Sequence, residues 1–198
     1  MNTQHIAYSI LDLAVISKGS SLEETLTNGL ELAKKAESYG YKRYWLAEHH
    51  NAANIGSSAT SILIGYIAQG TSTIRVGSGG IMLPNHSPLV IAEQFGTLGV
   101  PIYILGSSTD SAHLAAKKGL PYAFASHFAT SKLFDALEIY RNEFKPSEAL
   151  QNPYTMAGVN IIVADTDEEA EKMATSLIRM FVGVLTGKRD FMQKPTDM

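Results

Sequence analysis

Residues 41–50 read Tyr-Lys-Arg-Tyr-Trp-Leu-Ala-Glu-His-His, an apolar segment that ends abruptly in one acid and two imidazoles. A helical pattern over Leu22–Tyr39 precedes it, beginning with the capping box Ser21/Glu24 and ending at Gly40. A helix followed directly by a short apolar strand is the repeating unit of a parallel sheet. The segment therefore predicts an α/β fold with polar side chains at the carboxyl end of a strand.

The same alternation continues in both directions along the chain. Besides Tyr41–Ala47, it predicts strands at Ile6–Asp12, Ile74–Leu83, Pro101–Leu105, Pro121–Ser126 and Tyr154–Val163. Further helices are predicted from Pro88, and from Thr166 with apolar residues at helical spacing up to Leu185. Six such units fit either a doubly wound sheet or a (β/α)8 barrel, although a full barrel usually needs about 250 residues. No linker or repeat divides residues 1–198, so we expect a single domain.

The composition excludes several classes of protein. With 45% hydrophobic and 18% charged residues, the chain has enough apolar side chains for a folded core. Its formal charge of −3 and the lack of a basic run argue against nucleic-acid binding. The absence of cysteine excludes disulfides, thiolate nucleophiles and cysteine-ligated metals. No secretory leader and no apolar run of about 20 residues is visible, so we expect a cytoplasmic protein without a membrane partner.

The Glu48-His49-His50 sequence is the first candidate site. In parallel α/β folds, sites gather at the carboxyl ends of strands, and histidine exchanges protons readily near neutral pH. One alternative is a surface loop in which the imidazoles cap a helix or pair with Glu48. A metal site formed by these three side chains is another, although no further ligand at a usual spacing is evident.

Three glycines interrupt the next predicted strand, where residues 76–84 read VGSGGIMLP. Because glycine weakens a strand, Gly77, Gly79 and Gly80 indicate a bulge, an unusual peptide geometry or a planar ligand close to the backbone. A tight bend of a barrel explains them equally well.

A third candidate is the turn Gly106-Ser107-Ser108-Thr109-Asp110-Ser111 at the start of a predicted helix. Open backbone N–H groups and several hydroxyls at a helix N-terminus suit a phosphate group. Ordinary N-capping is the alternative, but it needs only one hydroxyl. His127, after the following strand, is a further candidate pocket residue.

Taken together, YWLAEHH at 44–50, VGSGGIMLPNHSPLVIAEQ at 76–94 and YILGSSTDSAHLAAKKGLPYAFASHF at 103–128 resemble the bacterial luciferase-like flavin monooxygenase family. GVNIIVADTDEEAE at 158–171 extends the likeness over most of the chain. The resemblance is nearest to the uncharacterised oxidoreductase branch of that family.

The resemblance implies a TIM barrel that binds reduced FMN and uses dioxygen to oxidise a small organic substrate. It assigns the role of catalytic base to His49 and a supporting role to His50. It also implies a non-prolyl cis peptide bond between Gly79 and Gly80, beneath the flavin. The full set of implied cofactor-binding residues is Ser78, Gly79, Gly80, Gly106, Ser107, Ser108 and Ser111.

The resemblance also implies partners. No G-x-G-x-x-G fingerprint for a nicotinamide is present, so a separate reductase is expected to supply the reduced flavin. Family members commonly form homodimers. Two alternatives within the family stay open: a deazaflavin-dependent oxidoreductase, and a non-catalytic flavin-binding protein derived from the same barrel. A phosphate-binding TIM-barrel lyase or isomerase is a third alternative, although no lysine at a predicted strand end could form a Schiff base.

The chain departs from the family between Leu98 and Gly99, where the family has the rest of a helix, a fourth strand and a long insertion. The family also continues beyond the position of Met198 to close its barrel, so about six of eight strands are represented. Either residues are omitted at the Leu98–Gly99 junction, or the protein is a shortened member. The distance between the carbonyl carbon of Leu98 and the nitrogen of Gly99 distinguishes the two.

Overall fold

The structure is a computed structural model that describes residues 6–96, 100–188 and 190–196. Strands and helices alternate as predicted, and each of the six predicted strands is present but shorter than expected. In chain order the elements are β1 (Ser9–Asp12), α1 (Leu22–Ser38), β2 (Arg43–Leu46), α2 (Thr60–Gln69), β3 (Arg75–Ser78), α3 (Pro88–Ile91), β4 (Ile104–Gly106), α4 (Thr109–Lys118), β5 (Tyr122–Phe124), α5 (Leu133–Glu143), β6 (Thr155–Ala157) and α6 (Asp167–Leu185). A 3-10 turn over Leu83–Asn85 precedes α3, and a π-helical turn over Ala92–Gly96 follows it. The Leu98–Gly99 junction lies outside the described residues.

The helix caps form largely as the sequence predicts. The Ser21 hydroxyl accepts the Glu24 N–H at 3.0 Å and the Glu24 carboxylate accepts the Ser21 N–H at 2.8 Å, which completes the capping box of α1. Gly40 follows this helix with a φ of +80°, a conformation that favours glycine. Thr166 caps α6 through the Glu169 N–H at 3.2 Å. In the described ranges, no helix has both the length and the apolar character needed to cross a membrane.

The chain divides into two compact units, each with a parallel three-stranded sheet. The first unit comprises residues 1–87 and 162–198, and its sheet has the order β1-β2-β3. Its register places Leu11 beside Trp45 and Trp45 beside Gly77, so β2 is the central strand. The buried core of this unit consists of Ala33, Ala36, Tyr44, Leu46, Leu63, Ile67 and Ile74.

The second unit comprises residues 88–161, and its sheet has the order β4-β5-β6. Helices α4 and α5 pack on this sheet through small residues, which allow close approach of the backbones. Its buried core consists of Ala112, Ala115, Ala116, Tyr122, Phe124, Ala136 and Tyr140.

Helix α6 carries the predicted stripe of apolar residues at helical spacing, but part of this stripe does not face a core. Met173, Ile178 and Val182 on this stripe are exposed, whereas Thr175 and Ser176 are buried. The Thr175 hydroxyl donates to the Lys172 carbonyl at 2.7 Å and accepts the Thr196 N–H at 3.1 Å. The C-terminal segment therefore contacts the polar part of this helix and leaves Met173, Ile178 and Val182 exposed.

Candidate active site

The backbone at His49 is held by Ser57, which lies in the segment between β2 and α2. The His49 N–H donates to the Ser57 carbonyl at 3.2 Å, and the buried Ser57 hydroxyl donates to the Leu13 carbonyl at 3.1 Å. The Ala47 N–H donates to the Asp12 carbonyl at 3.0 Å, which extends the pairing of β1 and β2 toward the same point. His49 itself is exposed. Its backbone is thus fixed while the residue stays accessible from solvent.

The buried Glu48 carboxylate accepts three hydrogen bonds. Nε2 of His50 lies 2.5 Å and Nε2 of His86 lies 2.6 Å from the same oxygen, Oε1, while the Met82 N–H donates to Oε2 at 3.0 Å. Burial raises the pKa of Glu48, but the hydrogen bonds from His50, Met82 and His86 outweigh it and hold that pKa below its ordinary value. Glu48 is therefore an ionised carboxylate at neutral pH. His50 pairs with it, as one of the sequence-based alternatives allows.

The three side chains that could bind a metal in the structure are not the three that the sequence suggests. Glu48, His50 and His86 bring together three donor atoms of the kinds that metals prefer, and His49 is not one of them. In a tetrahedral zinc site with bonds of 2.0–2.2 Å, ligand atoms lie about 3.3 Å apart. The separations of 2.5 and 2.6 Å from Glu48 Oε1 are those of hydrogen bonds instead.

The glycine-rich segment lies directly beside the end of β2. The Gly79 N–H donates to the Leu46 carbonyl at 2.7 Å, and the Ser78 hydroxyl contacts the same carbonyl at 3.4 Å. The Gly79–Gly80 peptide bond is cis, at the position the family resemblance implies. The Trp45 side chain explains two of the glycines. A Cβ on Gly77 would lie 2.9 Å from Trp45 Cζ3, and a Cβ on Gly79 would lie 2.8 Å from Trp45 Cβ. Close packing against Trp45 is an explanation that sequence reasoning did not consider.

The serine turn of the second unit has a defined internal structure. The Ser111 hydroxyl donates to the Ser108 carbonyl at 2.6 Å and lies 3.0 Å from the Tyr122 hydroxyl, which contacts the Ser108 carbonyl at 3.2 Å. A Cβ on Gly106 would overlap the Ser111 side chain, so glycine is required there. Ser111 and Gly106 therefore shape the turn.

The exposed serines of this turn are not used as caps. Ser108 occupies the N-cap position of α4, yet its side chain makes no capping hydrogen bond. Ser107 and Ser108 are both exposed. Ordinary N-capping by Ser108 is thus not what the turn does, and the N-terminal amides of α4 are not satisfied by that hydroxyl.

His127 lies after β5 in the second unit. Its Nδ1 is buried without a hydrogen-bond partner in the part of the chain that the structure describes, and burial lowers its pKa. A Cβ on Gly158 would clash with this nitrogen. The imidazole is therefore neutral at neutral pH and closely packed, which makes a proton-transfer role harder than at His49.

Sequence reasoning missed His86 and the Met82 amide. His86 stands within the 76–94 segment that carries the resemblance, two residues before the start of α3. Its position after a strand end was an available signal, but its contact with Glu48 spans 38 residues and depends on the path of the intervening turn.

Known proteins of one family match nearly the whole chain. The family model for luciferase-like monooxygenases matches residues 6–100 and 99–196. A luciferase-like monooxygenase of Escherichia coli K12 is 42% identical over 260 residues, covering 98% of this chain and 78% of the relative. The crystal structure of apo-MsnO8 matches with a TM-score of 0.91 and 27% identity over 96% of this chain and 76% of that chain.

A more distant structure shows the same fold. It is the FMN complex of the oxygenating constituent of 3,6-diketocamphane monooxygenase from Pseudomonas putida, a type II Baeyer-Villiger monooxygenase. It matches with a TM-score of 0.69 and 15% identity over 91% of this chain and 74% of that chain. At this identity the likeness concerns the fold alone.

The alignments also locate the departure from the family. The alignment with the Escherichia coli protein spans 260 residues, more than the 198 of this chain, and the two family matches meet at residues 99 and 100. The relatives therefore carry a segment that this chain lacks near Leu98 and Gly99. The predicted fold class, an α/β barrel of the luciferase-like type with about six strands represented, is confirmed. The chain belongs to the luciferase-like monooxygenase family.

Proposed function

We propose that this chain is a flavin-dependent monooxygenase that uses reduced FMN and dioxygen to oxidise a small organic substrate. Family membership supports the reaction class. The observation that carries the choice of FMN is the serine turn, where exposed Ser107 and Ser108 stand at the start of a ten-residue helix whose N-cap hydroxyl makes no capping bond. Such a turn offers amide and hydroxyl donors to a dianion.

The residues present fit the phosphate group of FMN. Ser107, Ser108 and the first amides of α4 would donate to it, while Gly106 and Ser111 keep the turn in shape. Asp110 also lies in the first turn of α4, and its carboxylate would have to point away from the phosphate. In the first unit, the family resemblance assigns contact with the ring system of the flavin to Ser78, Gly79 and Gly80, and this assignment is separate from that of the serine turn.

His49 is assigned the proton transfer in this proposal. When bound, reduced flavin supplies the electrons that activate dioxygen. An exposed imidazole on a fixed backbone can take up or release a proton at a ring nitrogen without moving the main chain. His50, held at Nε2 by Glu48, supports it. A separate flavin reductase, a homodimer and a cytoplasmic location remain expectations of this proposal.

An anaerobic titration with reduced FMN and with reduced riboflavin tests the phosphate assignment. Hydrogen bonds to charged groups contribute about 1.5–3 kcal/mol, so Ser108→Ala should weaken reduced FMN binding by about tenfold or more. Riboflavin lacks the phosphate, and its affinity should not change. Ser131→Ala, an exposed serine of the same unit, serves as the control. Equal losses for both flavins would refute the phosphate role.

The same titration with a reduced deazaflavin separates the nearest alternative. Preferential binding of the deazaflavin would replace FMN in the proposal. The non-catalytic alternative predicts a different result. The protein would then bind reduced FMN, but substitution of His49 would not change the reaction of the bound flavin with dioxygen.

A further inference from the structure

The Glu48 carboxylate joins two separate parts of the first unit. Glu48 follows β2, whereas Met82 and His86 belong to the segment between β3 and α3 that begins at the glycine pair. The Glu48 side chain is only 1% exposed, while the side chains of His50 and His86 are 39% and 29% exposed. The carboxylate is therefore hidden, and the two imidazoles that it holds are reachable from solvent.

Both imidazoles contact Glu48 through the same nitrogen. An ionised carboxylate only accepts hydrogen bonds, so Nε2 of His50 and Nε2 of His86 must each carry a hydrogen. A neutral imidazole carries one N–H, and its other nitrogen then has a free lone pair. Each ring therefore has Nδ1 as the nitrogen that can accept a proton.

We propose that Glu48 is a shared acceptor that holds His50 and His86 as Nε2–H tautomers, with Nδ1 of each ring as its basic nitrogen. Glu48 and His86 are then positioning residues of the candidate active site. They fix the ring of His50 and tie the segment from Gly80 to His86 to the end of β2. The tautomer assignment stands independently of flavin, and only its effect on turnover rests on the proposed function.

A surface pair in the same chain provides a matched comparison. Nδ1 of His113 lies 2.6 Å from the carboxylate of Glu143, but their side chains are 49% and 50% exposed. This pair has the same residue types and a similar separation, yet it uses the other ring nitrogen and has ready access to water. Substitutions at this pair control for loss of a histidine–glutamate contact in general.

Nitrogen-15 NMR of histidine-labelled, flavin-free protein tests the tautomers directly. At a pH at which the imidazoles are neutral, wild-type His50 and His86 should both show a protonated Nε2 and an unprotonated Nδ1. His50→Gln and His86→Gln assign the two signals. Glu48→Ala should convert the rings of His50 and His86 to mixtures of the two tautomers, whereas Glu143→Gln should leave both rings unchanged. An Nδ1–H form or a tautomer mixture at either ring of the wild type would overturn the proposal. Stoichiometric Zn²⁺ binding that shifts the nitrogen-15 signals of both rings would also overturn it.

Turnover measurements test the positioning role. His86→Leu removes the hydrogen-bond donor to Glu48. It should lower kcat about tenfold with little change in KM for reduced FMN, because it misplaces the His50 ring and does not weaken flavin binding. His86→Gln keeps an N–H near the position of Nε2 and should recover most of kcat, while His113→Leu should match wild type. Equal kcat in His86→Leu and wild type would remove the positioning role. Absence of flavin binding with both rings in the Nε2–H form would instead defeat the proposed function alone.

Discussion

Trp45 shows how one large side chain determines the residues opposite it. At Gly77 on β3 and at Gly79 just after it, the space that a side chain would need is filled by the Trp45 ring and its Cβ. Leu11 Cδ1 would also lie 2.9 Å from a Cβ on Gly79. The glycines are thus required by packing within the sheet, whatever ligand lies near them. This requirement also brings the Gly79–Gly80 segment close to Leu46 and hence to the His49 end of β2.

Gly77→Ala should therefore destabilise the protein. Its new Cβ would lie 2.9 Å from Trp45, and overpacking of this kind costs about 1–3 kcal/mol. Gly65→Ala is the matched control, because Gly65 is exposed within α2 and a Cβ there meets nothing within 4 Å. That change should stabilise by about 0.5–1 kcal/mol, since alanine favours helix over glycine. Urea denaturation measures both, and a Gly77→Ala protein as stable as wild type would contradict the packing argument.

At the scale of elements, Glu37 fixes the end of α1 to the segment that leads into β3. Its Oε1 accepts the N–H groups of Ser72, Thr73 and Ile74, with the Ser72 and Ile74 bonds both at 2.8 Å. The hydrogen bonds from Thr73, Ile74 and Ser72 lower the pKa of Glu37 to about 2. A single carboxylate therefore satisfies the backbone of a whole turn.

The pH dependence of stability follows from the sign of this shift. A lowered folded-state pKa gives a stabilising contribution that is complete above the ordinary pKa of 4.5 and is lost as the pH falls toward about 2. Glu37→Gln should lower the urea midpoint at neutral pH, and its difference from wild type should shrink across that range. Glu31→Gln, which removes only the exposed Lys34 pair of the same helix, should have a small effect. A difference that stays constant with pH would refute the role of the ionised carboxylate.

Local and long-range features of these elements differ in how far the sequence predicts them. The Ser21/Glu24 box and the Gly40 stop depend on neighbours within one turn of helix, so the sequence predicts α1 almost to the residue. The Glu37 contacts with 72–74 and the Glu48 contact with His86 depend on the register of β2 and β3, and no local pattern reveals them. His49, His50 and the serine turn could be selected because strand ends gather polar side chains in this fold class.

For the whole molecule, the main surprise is exposed apolar surface. Val159 and Ile161, which follow β6, are 70% and 71% exposed, and Leu185 at the end of α6 is 85% exposed. The sequence predicts apolar periodicity at these places but cannot show what covers it. In the described part of the chain, β6 pairs with β5 alone, so its other edge is not covered by a strand.

We expect the exposed apolar residues that follow β6 to cause concentration-dependent self-association, because exposed apolar patches favour contact between chains. Ile161→Lys should weaken that association in sedimentation velocity experiments. Ser131→Lys changes the net charge equally at an exposed polar site of the same unit and should have little effect. A wild-type chain that stays monomeric at all concentrations would contradict the expectation.

We propose that the family chemistry, with reduced FMN and a proton-transferring His49, operates in this chain. Stopped-flow mixing of the anaerobic complex of protein and reduced FMN with dissolved dioxygen tests it most directly, with the flavin absorbance as the signal. We predict saturable binding of one reduced FMN per chain. We also predict a reoxidation rate that His49→Asn changes by about tenfold or more and His113→Asn leaves unchanged, because general acid–base groups typically contribute 10²–10⁴-fold. No saturable binding, or identical reoxidation in wild type and His49→Asn, would contradict the claim.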